Sequence, residues 1–279
     1  MIGLFLRFLR KIAVLDKYEF NLPLTLNGAQ FRIPLLKSIG INNFLMDEIW
    51  MSELFRALKL ENSALLIDIG ANVGQTLLKW KSIYPNNSYL GIEPLPVAYD
   101  YLCKLNQINQ FKNCRFLNLA VSQKTGPLPL SIHFNDPSDR SASLYKTGFK
   151  VTSSTMVNSD TLENILAQQK CLLGTEDLVK IDAEGAEIDI LLHSSALLKE
   201  WKPILILEFL IHNLNADRWH EIQSEYKNHY SFFKINKRSN TLSNLEPIRK
   251  YPLHSESVID VLAFPVGKQL NPHLSQWIT

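Results

Sequence analysis

Short apolar runs alternate with segments of helical periodicity over most of this chain. From residue 64 onward, each run reads as a strand, and the segment that follows it places apolar residues at helical spacing. This alternation predicts an α/β fold with a mostly parallel, doubly wound sheet covered by helices on both faces. The seven predicted strands are 64–69, 88–92, 114–119, 177–182, 203–208, 229–235 and 258–264, and the predicted helices are 73–83, 95–109, 160–169, 184–199 and 216–227.

The first 60 residues follow a different pattern and predict an N-terminal extension. Alternating apolar residues flank Asn27-Gly28, which is the strongest short signal for a β-hairpin. Apolar residues at helical spacing over 42–60 predict an amphipathic helix. We therefore divide the chain into an extension with a helix, a hairpin and an amphipathic helix, residues 1–60, and a main domain, residues 61–279.

A second departure from the alternation lies between the third strand and the helix at 160–169. Residues 128–134 and 149–157 predict an inserted hairpin. Loops held by a rigid sheet often determine which substrate binds. The polar loop of this insert is therefore a predicted substrate-binding lid, with candidate residues Asp136, Arg140, Ser141 and Ser143.

Composition and charge exclude some classes of function and leave the predicted fold class as it is. Lys and Arg total 29 against 27 acids, and no basic stripe with interleaved aromatic residues appears, so we expect no nucleic-acid partner. The three cysteines lack any CxxC spacing and predict reduced thiols in the cytoplasm. The seven histidines form no HxxxH pair, so no structural zinc site is expected.

Residues 1–15 are apolar but interrupted by Arg7, Arg10 and Lys11. The run is shorter than the roughly 20 residues that span a membrane, and it lacks the basic start and cleavage site of a signal peptide. It predicts a helix docked on this domain or on a partner chain. The alternative is a basic helix that lies on a membrane surface. A homo-oligomer is a separate expectation.

The stretch LLIDIGANVGQT, residues 65–76, contains a glycine-rich turn after the first strand. Gly70, Asn72 and Gly74 follow the acid Asp68, and the third glycine of a dinucleotide site is absent. Such a turn lets a ligand approach the backbone closely. A carboxylate at Asp68 suits an ammonium group, and the backbone N–H groups of the turn suit a carboxylate. Together they predict S-adenosylmethionine as the cofactor.

The ends of the second and third strands supply the remaining predicted cofactor contacts. Glu93 lies about twenty residues beyond the turn, where a carboxylate accepts hydrogen bonds from two ribose hydroxyls. A solvated acid at a strand end is the alternative. The backbone at Ala120 is expected to border the adenine ring, with Asn118 able to bond the edge of that ring.

Three motifs in one order, DIGANVG, GIEPLP and KIDAEGAE, resemble the FkbM-type methyltransferase family. The resemblance covers about residues 60–215 and implies a seven-stranded, Rossmann-like methyltransferase fold that uses S-adenosylmethionine. It also implies acceptors that are hydroxyl groups, often on sugars or secondary metabolites. Ala183 and Glu163 depart from residues common in the family, and neither lies in the cofactor motif.

Catalytic candidates lie at the carboxyl ends of the fourth and fifth strands, where ligands bind in open α/β sheets. Alternation places Lys180 and Asp182 on one side of the fourth strand. We predict that Asp182 faces the transferred methyl and also contacts the cofactor, and that Lys180 orients Asp182 or the acceptor. Glu208 and His212 are further candidates for the base that takes the hydroxyl proton. A buried ion pair would explain Lys180 equally well.

These residues favour an S-adenosylmethionine-dependent O-methyltransferase with a small-molecule or glycan acceptor. Asp182 and Glu208 could also hold a divalent metal, but no third ligand is evident, so no metal is assigned. The alternatives are a nicotinamide-dependent oxidoreductase and a cofactor-binding scaffold without turnover. The missing third glycine and the absence of a Tyr-x-x-x-Lys pair near the fourth strand disfavour the oxidoreductase.

Overall fold

The computed structural model describes residues 19–37, 39–45, 48–133, 142, 151–238, 241–251 and 257–279. The predicted helix within residues 1–15 and the lid candidates Asp136, Arg140, Ser141 and Ser143 lie outside these ranges. The strands are β1 (Glu19–Leu26), β2 (Ala29–Leu36), β3 (Leu65–Ile69), β4 (Ser88–Ile92), β5 (Cys114–Leu117), β6 (Ala120–Val121), β7 (Gly126–Ile132), β8 (Ser153–Asp160), β9 (Leu178–Ile181), β10 (Ile204–Leu210), β11 (Tyr230–Arg238), β12 (Thr241–Pro247) and β13 (Val258–Pro265). The α-helices are α1 (Ile49–Leu58), α2 (Gln75–Ile83), α3 (Pro96–Asn109), α4 (Leu162–Gln168), α5 (Glu187–His193), α6 (Ser195–Trp201), α7 (Ala216–Tyr226) and α8 (Pro272–Ser275).

The central sheet confirms the predicted doubly wound α/β class. Within the described ranges its strand order is β12-β11-β13-β10-β9-β3-β4-β5. The pairs from β10 to β5 are parallel, whereas β13 runs antiparallel to both β10 and β11. Antiparallel pairs therefore occur only on the β12 side of the sheet. The carboxyl ends of β3, β4, β9 and β10 lie together at one end of the strands.

The prediction of seven strands is one too few for this sheet. The additional strand, β12, pairs antiparallel with β11 at the edge of the sheet. Its sequence TLSNLEP buries only Leu242 and Leu245, so it lacks the apolar run that marks the other strands. An edge strand with one buried face gives a weaker sequence signal than a strand buried on both faces.

Two hydrophobic cores cover the two faces of the sheet. One core packs α1, α2 and α3 against the face that carries Leu66, Leu178 and Ile206. The other packs α4, α5, α6 and α7 against the opposite face. None of the helices in the described part of the chain has both the length and the apolar character needed to cross a membrane.

The N-terminal extension packs onto the first of these cores. β1 and β2 form the predicted hairpin, and Asn27 and Gly28 both take positive φ, as a two-residue turn requires. The Asn27 side chain donates hydrogen bonds to Ser52 of α1 and Ser82 of α2. The helix predicted over 42–60 is instead a 3-10 turn, Ile41–Phe44, followed by α1. The domain division at residue 60 stays a prediction.

The insert between β5 and α4 forms a small separate sheet. β7 and β8 pair antiparallel, with Leu128 opposite Val157, so the inserted hairpin is confirmed. β6 adds a short strand parallel to β8. The helix predicted over 184–199 begins later and is divided into α5 and α6, which meet at Ser194.

Candidate active site

The glycine-rich turn after β3 lies in direct contact with the end of β9. Gly70 has φ 82, and its N–H donates to the carbonyl oxygen of Ile92 at 2.9 Å. A Cβ atom at Gly70 would lie 1.8 Å from the carbonyl oxygen of Asp182. Only glycine allows this approach. The predicted cofactor turn and the predicted catalytic strand therefore meet at the carbonyl oxygen of Asp182.

The rest of the turn is held against α3. Asn72 adopts the left-handed conformation at φ 44, and its side-chain oxygen accepts a hydrogen bond from the N–H of Val73 at 2.8 Å. Gly74 has φ 82, and a Cβ there would lie 2.9 Å from side-chain atoms of Leu102 and Leu105. The start of α2 is therefore fixed close to α3.

Glu93 connects the end of β4 to the glycine-rich turn. One carboxylate oxygen accepts from the N–H of Asn72 and the other from the N–H of Leu95, both at 2.8 Å. Burial raises the pKa of Glu93 to about 7, although these two hydrogen bonds oppose the shift. Glu93 is therefore not the solvated strand-end acid that the sequence left open. Its role as the ribose partner stays a prediction.

Of the two predicted adenine neighbours, Asn118 contacts the backbone at Glu93. The Asn118 side-chain amide donates to the carbonyl oxygens of Glu93 at 2.9 Å and Pro94 at 3.0 Å. Ala120 is buried in β6, where it pairs with Ser159. Asn118 thus braces the backbone that follows β4, and any contact of Asn118 or Ala120 with an adenine ring stays a prediction.

Lys180 lies between two acids at the carboxyl end of the sheet. Its ammonium is 2.8 Å from a carboxylate oxygen of Asp182 and 3.4 Å from a carboxylate oxygen of Asp68. The Tyr89 hydroxyl donates to the second oxygen of Asp68 at 2.5 Å. Burial alone would lower the pKa of Lys180, but Asp182 and Asp68 raise it above its usual range. Lys180 is therefore a charged lysine that holds both acids.

Asp68 and Asp182 differ in their access to solvent. Asp68 is 0% exposed, so in this conformation its contacts are internal. The Asp182 side chain is 23% exposed. Asp182 is thus the acid of this pair that a ligand reaches directly, and a direct contact between Asp68 and a ligand ammonium stays a prediction that requires local movement.

Glu208 lies beside a further acid that the sequence did not single out. Glu208 on β10 is directly opposite Asp260 on β13, and Lys237 of β11 forms an ion pair with Asp260. The negative charge of Asp182, together with burial, raises the pKa of Glu208 well above its usual range. A signal for Asp260 was present, because it is a lone acid within the apolar strand VIDVLAF.

The extension contributes two residues near this group of acids. Glu48 precedes α1 in the left-handed conformation at φ 61 and pairs with Lys79 of α2 at 2.9 Å. Although burial opposes the shift, Lys79 lowers the pKa of Glu48 to about 2. The Lys237 ammonium lies 5.5 Å from the centre of the Trp50 ring. No local motif marks Glu48 or Trp50, since their position depends on how α1 packs.

The last sequence candidate, His212, takes no part in the contacts described above, and the acid Glu187 has a structural role. His212 is exposed in the turn that follows β10. Glu187 accepts hydrogen bonds from the N–H groups of Ala183 and Gly185, each at 2.9 Å, and thereby closes the turn before α5. In the described part of the chain, no three His, Cys, Asp or Glu side chains are arranged to hold a metal ion.

The fold is that of a doubly wound, Rossmann-like α/β domain, and comparison with known sequences identifies its family. The sequence model described as the Methyltransferase FkbM domain matches residues 68–236. The protein belongs to the FkbM methyltransferase family, as the three motifs predicted.

Two curated fungal proteins are similar to this chain. Methyltransferase sdnD of Sordaria araneosa is 27% identical over 173 residues, which cover 53% of this chain and 67% of that protein. Methyltransferase 1 of Beauveria bassiana is 22% identical over 165 residues, which cover 53% of this chain and 65% of that protein.

A solved structure, Methyltransferase FkbM from Methylobacillus flagellatus, has a TM-score of 0.48 and 14% identity to this chain. The match covers 82% of this chain and 51% of that one, so this chain spans about half of the solved chain's length.

The contact between Gly70 and Asp182 gives a stability prediction. We expect Gly70→Ala to lower the free energy of unfolding by about 2 kcal/mol or more beyond the control, because the new methyl group overlaps the Asp182 carbonyl. The control is Gly267→Ala, which has a similar φ of 88 but nothing within 4 Å of the added Cβ. Urea denaturation of both variants measures the difference, and equal losses would contradict the close approach.

Proposed function

We propose that this protein transfers a methyl group from S-adenosylmethionine to a hydroxyl group of a sugar, glycan or secondary metabolite. The observation that carries the proposal is the contact between the glycine-rich turn and the end of β9, where Gly70 lies against Asp182. This contact brings a turn suited to the cofactor next to acids suited to proton transfer. Membership of a methyltransferase family supports the same reaction class.

The residues around the turn fit the polar groups of S-adenosylmethionine. Glu93 offers a carboxylate to the two ribose hydroxyls, and Asp182 offers a partly exposed carboxylate to the ammonium. The backbone N–H groups from Gly70 to Gly74 already donate hydrogen bonds within the protein, so the turn would contribute the close approach that its glycines allow. When bound, the cofactor would supply an electrophilic methyl group on a sulfonium. The chain's own residues would then orient the acceptor and take its proton.

Methyl transfer to a hydroxyl requires a base. The carboxylates at the ends of β9 and β10 can supply one, which supports oxygen as the acceptor atom. The negative charge of Asp182, together with burial, raises the pKa of Glu208, and a carboxylate with a raised pKa is a stronger base once it is ionised. Lys180 holds Asp182 in an ion pair, which suits Asp182 for orienting ligands. We therefore assign proton removal to Glu208 and positioning to Asp182 and Lys180.

The first test compares cofactors. At a hundredfold excess over its dissociation constant, S-adenosylmethionine should stabilise the protein by about 2.7 kcal/mol, and NADH should not. Calorimetry and thermal melts measure both ligands. Formation of S-adenosylhomocysteine is then followed with a panel of sugars, glycosides and phenols. Binding of NADH alone would favour the oxidoreductase, and binding without product would favour a scaffold.

The second prediction concerns the pH dependence of cofactor binding. Ribose hydroxyls donate to the ionised form of Glu93, whose pKa is about 7. A ligand that binds the ionised form gains affinity as pH rises through this pKa. The dissociation constant should therefore fall about tenfold between about pH 6 and about pH 8.

Glu93→Gln is the variant that checks this assignment. Glutamine keeps an acceptor for the N–H of Asn72, while it removes the titrating charge. Titration calorimetry of S-adenosylhomocysteine, which carries the same ribose, should show the pH dependence in the wild type and a flat profile in the variant. A slope that persists in Glu93→Gln would place the titrating group elsewhere.

The third prediction separates chemistry from binding. Glu208→Gln should reduce turnover by roughly a hundredfold or more and leave cofactor affinity within a few-fold of the wild type, because it removes only the proton acceptor. Glu200→Gln removes an exposed acid on α6 and serves as the control. Full turnover in Glu208→Gln, with a large loss in Asp182→Asn, would transfer the role of the base to Asp182.

A further inference from the structure

Five charged side chains cross four neighbouring strands on one face of the sheet. In spatial order they are Lys180 and Asp182 at the end of β9, Glu208 on β10, Asp260 on β13 and Lys237 on β11. Neighbouring strands are roughly 4.8 Å apart, so three carboxylates lie side by side. The order of charges is lysine, aspartate, glutamate, aspartate, lysine.

The two ends of this charged row are paired, and its centre is different. Asp182 binds the Lys180 ammonium at 2.8 Å. Asp260, which is 3% exposed, binds Lys237. Each outer acid therefore has its own cation, whereas Glu208 lies between two acids.

Besides Asp182 and Asp260, Glu48 and Lys180 also act on the charge of Glu208. Glu48, before α1, adds another negative charge that opposes ionisation of Glu208. Lys180 acts in the opposite direction, but it is already shared by Asp182 and Asp68. Asp182, Asp260 and Glu48 together disfavour a negative charge on Glu208, at the centre of the charged row.

We propose that Glu208 carries a proton while the neighbouring cofactor site lacks a cation, and that it releases this proton when a sulfonium binds. This inference rests on the proposed function, since it requires S-adenosylmethionine as the cofactor. A positive charge near the carboxyl end of β10 would offset the repulsion from the three acids. Glu208 thus becomes a base only when the methyl donor is present.

The proton balance of the reaction closes with this assignment. Ionised Glu208 takes the proton of the acceptor hydroxyl as the carbon–sulfur bond breaks and the oxygen–carbon bond forms. The sulfur keeps the electron pair of the broken bond and becomes a neutral thioether. Glu208 is then protonated beside a neutral product, which matches the state before the cofactor bound.

Asp260 acts on Glu208 through its negative charge, which disfavours the ionised form of Glu208. The ion pair with Lys237 reduces this influence. The Lys237 ammonium is held by Asp260 and by the face of the Trp50 ring at 5.5 Å. Lys237 also interacts electrostatically with Glu208, but the ion pair that it forms is with Asp260. Removing the charge of Asp260 should therefore favour ionisation of Glu208 even without a sulfonium.

The test counts protons released on binding, with the full chain and two probe ligands. S-adenosylmethionine carries the sulfonium, and S-adenosylhomocysteine carries a neutral thioether on the same adenosine. Calorimetry in phosphate and in Tris at about pH 7 gives the protons released per ligand bound. In the wild type, S-adenosylmethionine should release up to about one proton more than S-adenosylhomocysteine.

Variants assign this extra proton to its source. Glu208→Gln should abolish the difference between the ligands while both still bind, and Asp260→Asn should reduce it. Glu93→Gln should change the count equally for both ligands, since the ribose is common to them. Glu200→Gln should match the wild type. The amino groups of the ligands titrate in every variant, so they cancel in these comparisons.

Infrared difference spectra supply a second readout that needs no variant. Beyond any band that both ligands remove through Glu93, one further carbonyl band of a protonated carboxyl group should disappear only when S-adenosylmethionine binds. Equal proton counts for the two ligands, or a difference that survives in Glu208→Gln, would overturn the inference and leave the cofactor assignment standing. Failure of both ligands to bind would overturn the proposed function itself.

Discussion

A buried ammonium group, that of Lys180, holds together the acids at the carboxyl ends of β3 and β9. Asp68 is fully buried, and a carboxylate in such a place is stable only with a charged or hydrogen-bonded partner. Lys180 and Tyr89 supply those partners. Removing one member of a buried pair costs roughly 3–5 kcal/mol, because the other charge is left alone. The orientation of Asp182 depends on the same lysine.

The N-terminal extension completes this edge of the sheet. Asn43 donates to the Val73 carbonyl within the glycine-rich turn, at 3.0 Å. Glu48 reaches Lys79 from the start of α1, and Trp50 lies beneath Lys237. The extension therefore contributes both to the turn that suits the cofactor and to the charges around Glu208. A protein without it would have a more exposed and less negative site.

Much of the fold and part of the site could be predicted from local sequence. The strands buried on both faces give continuous apolar runs, and Asn27-Gly28 imposes its own turn. Gly70 and Gly74 signal positive φ directly, and both have it. The pairing of Lys180 with Asp182 follows from strand alternation alone. In each case the signal is carried by residues a few positions apart.

The sequence by itself determined the doubly wound class, the glycine-rich turn, the inserted hairpin and the methyltransferase family. Only the tertiary structure decided that Asp68 is closed to solvent, that Glu93 braces the turn, and that Asp260 and Glu48 lie near Glu208. It also added β12, whose pattern is too polar to mark a strand. Burial and electrostatic coupling depend on which distant segments pack together. Asp260 lies 52 positions after Glu208 in the chain, and antiparallel pairing of their strands makes them neighbours.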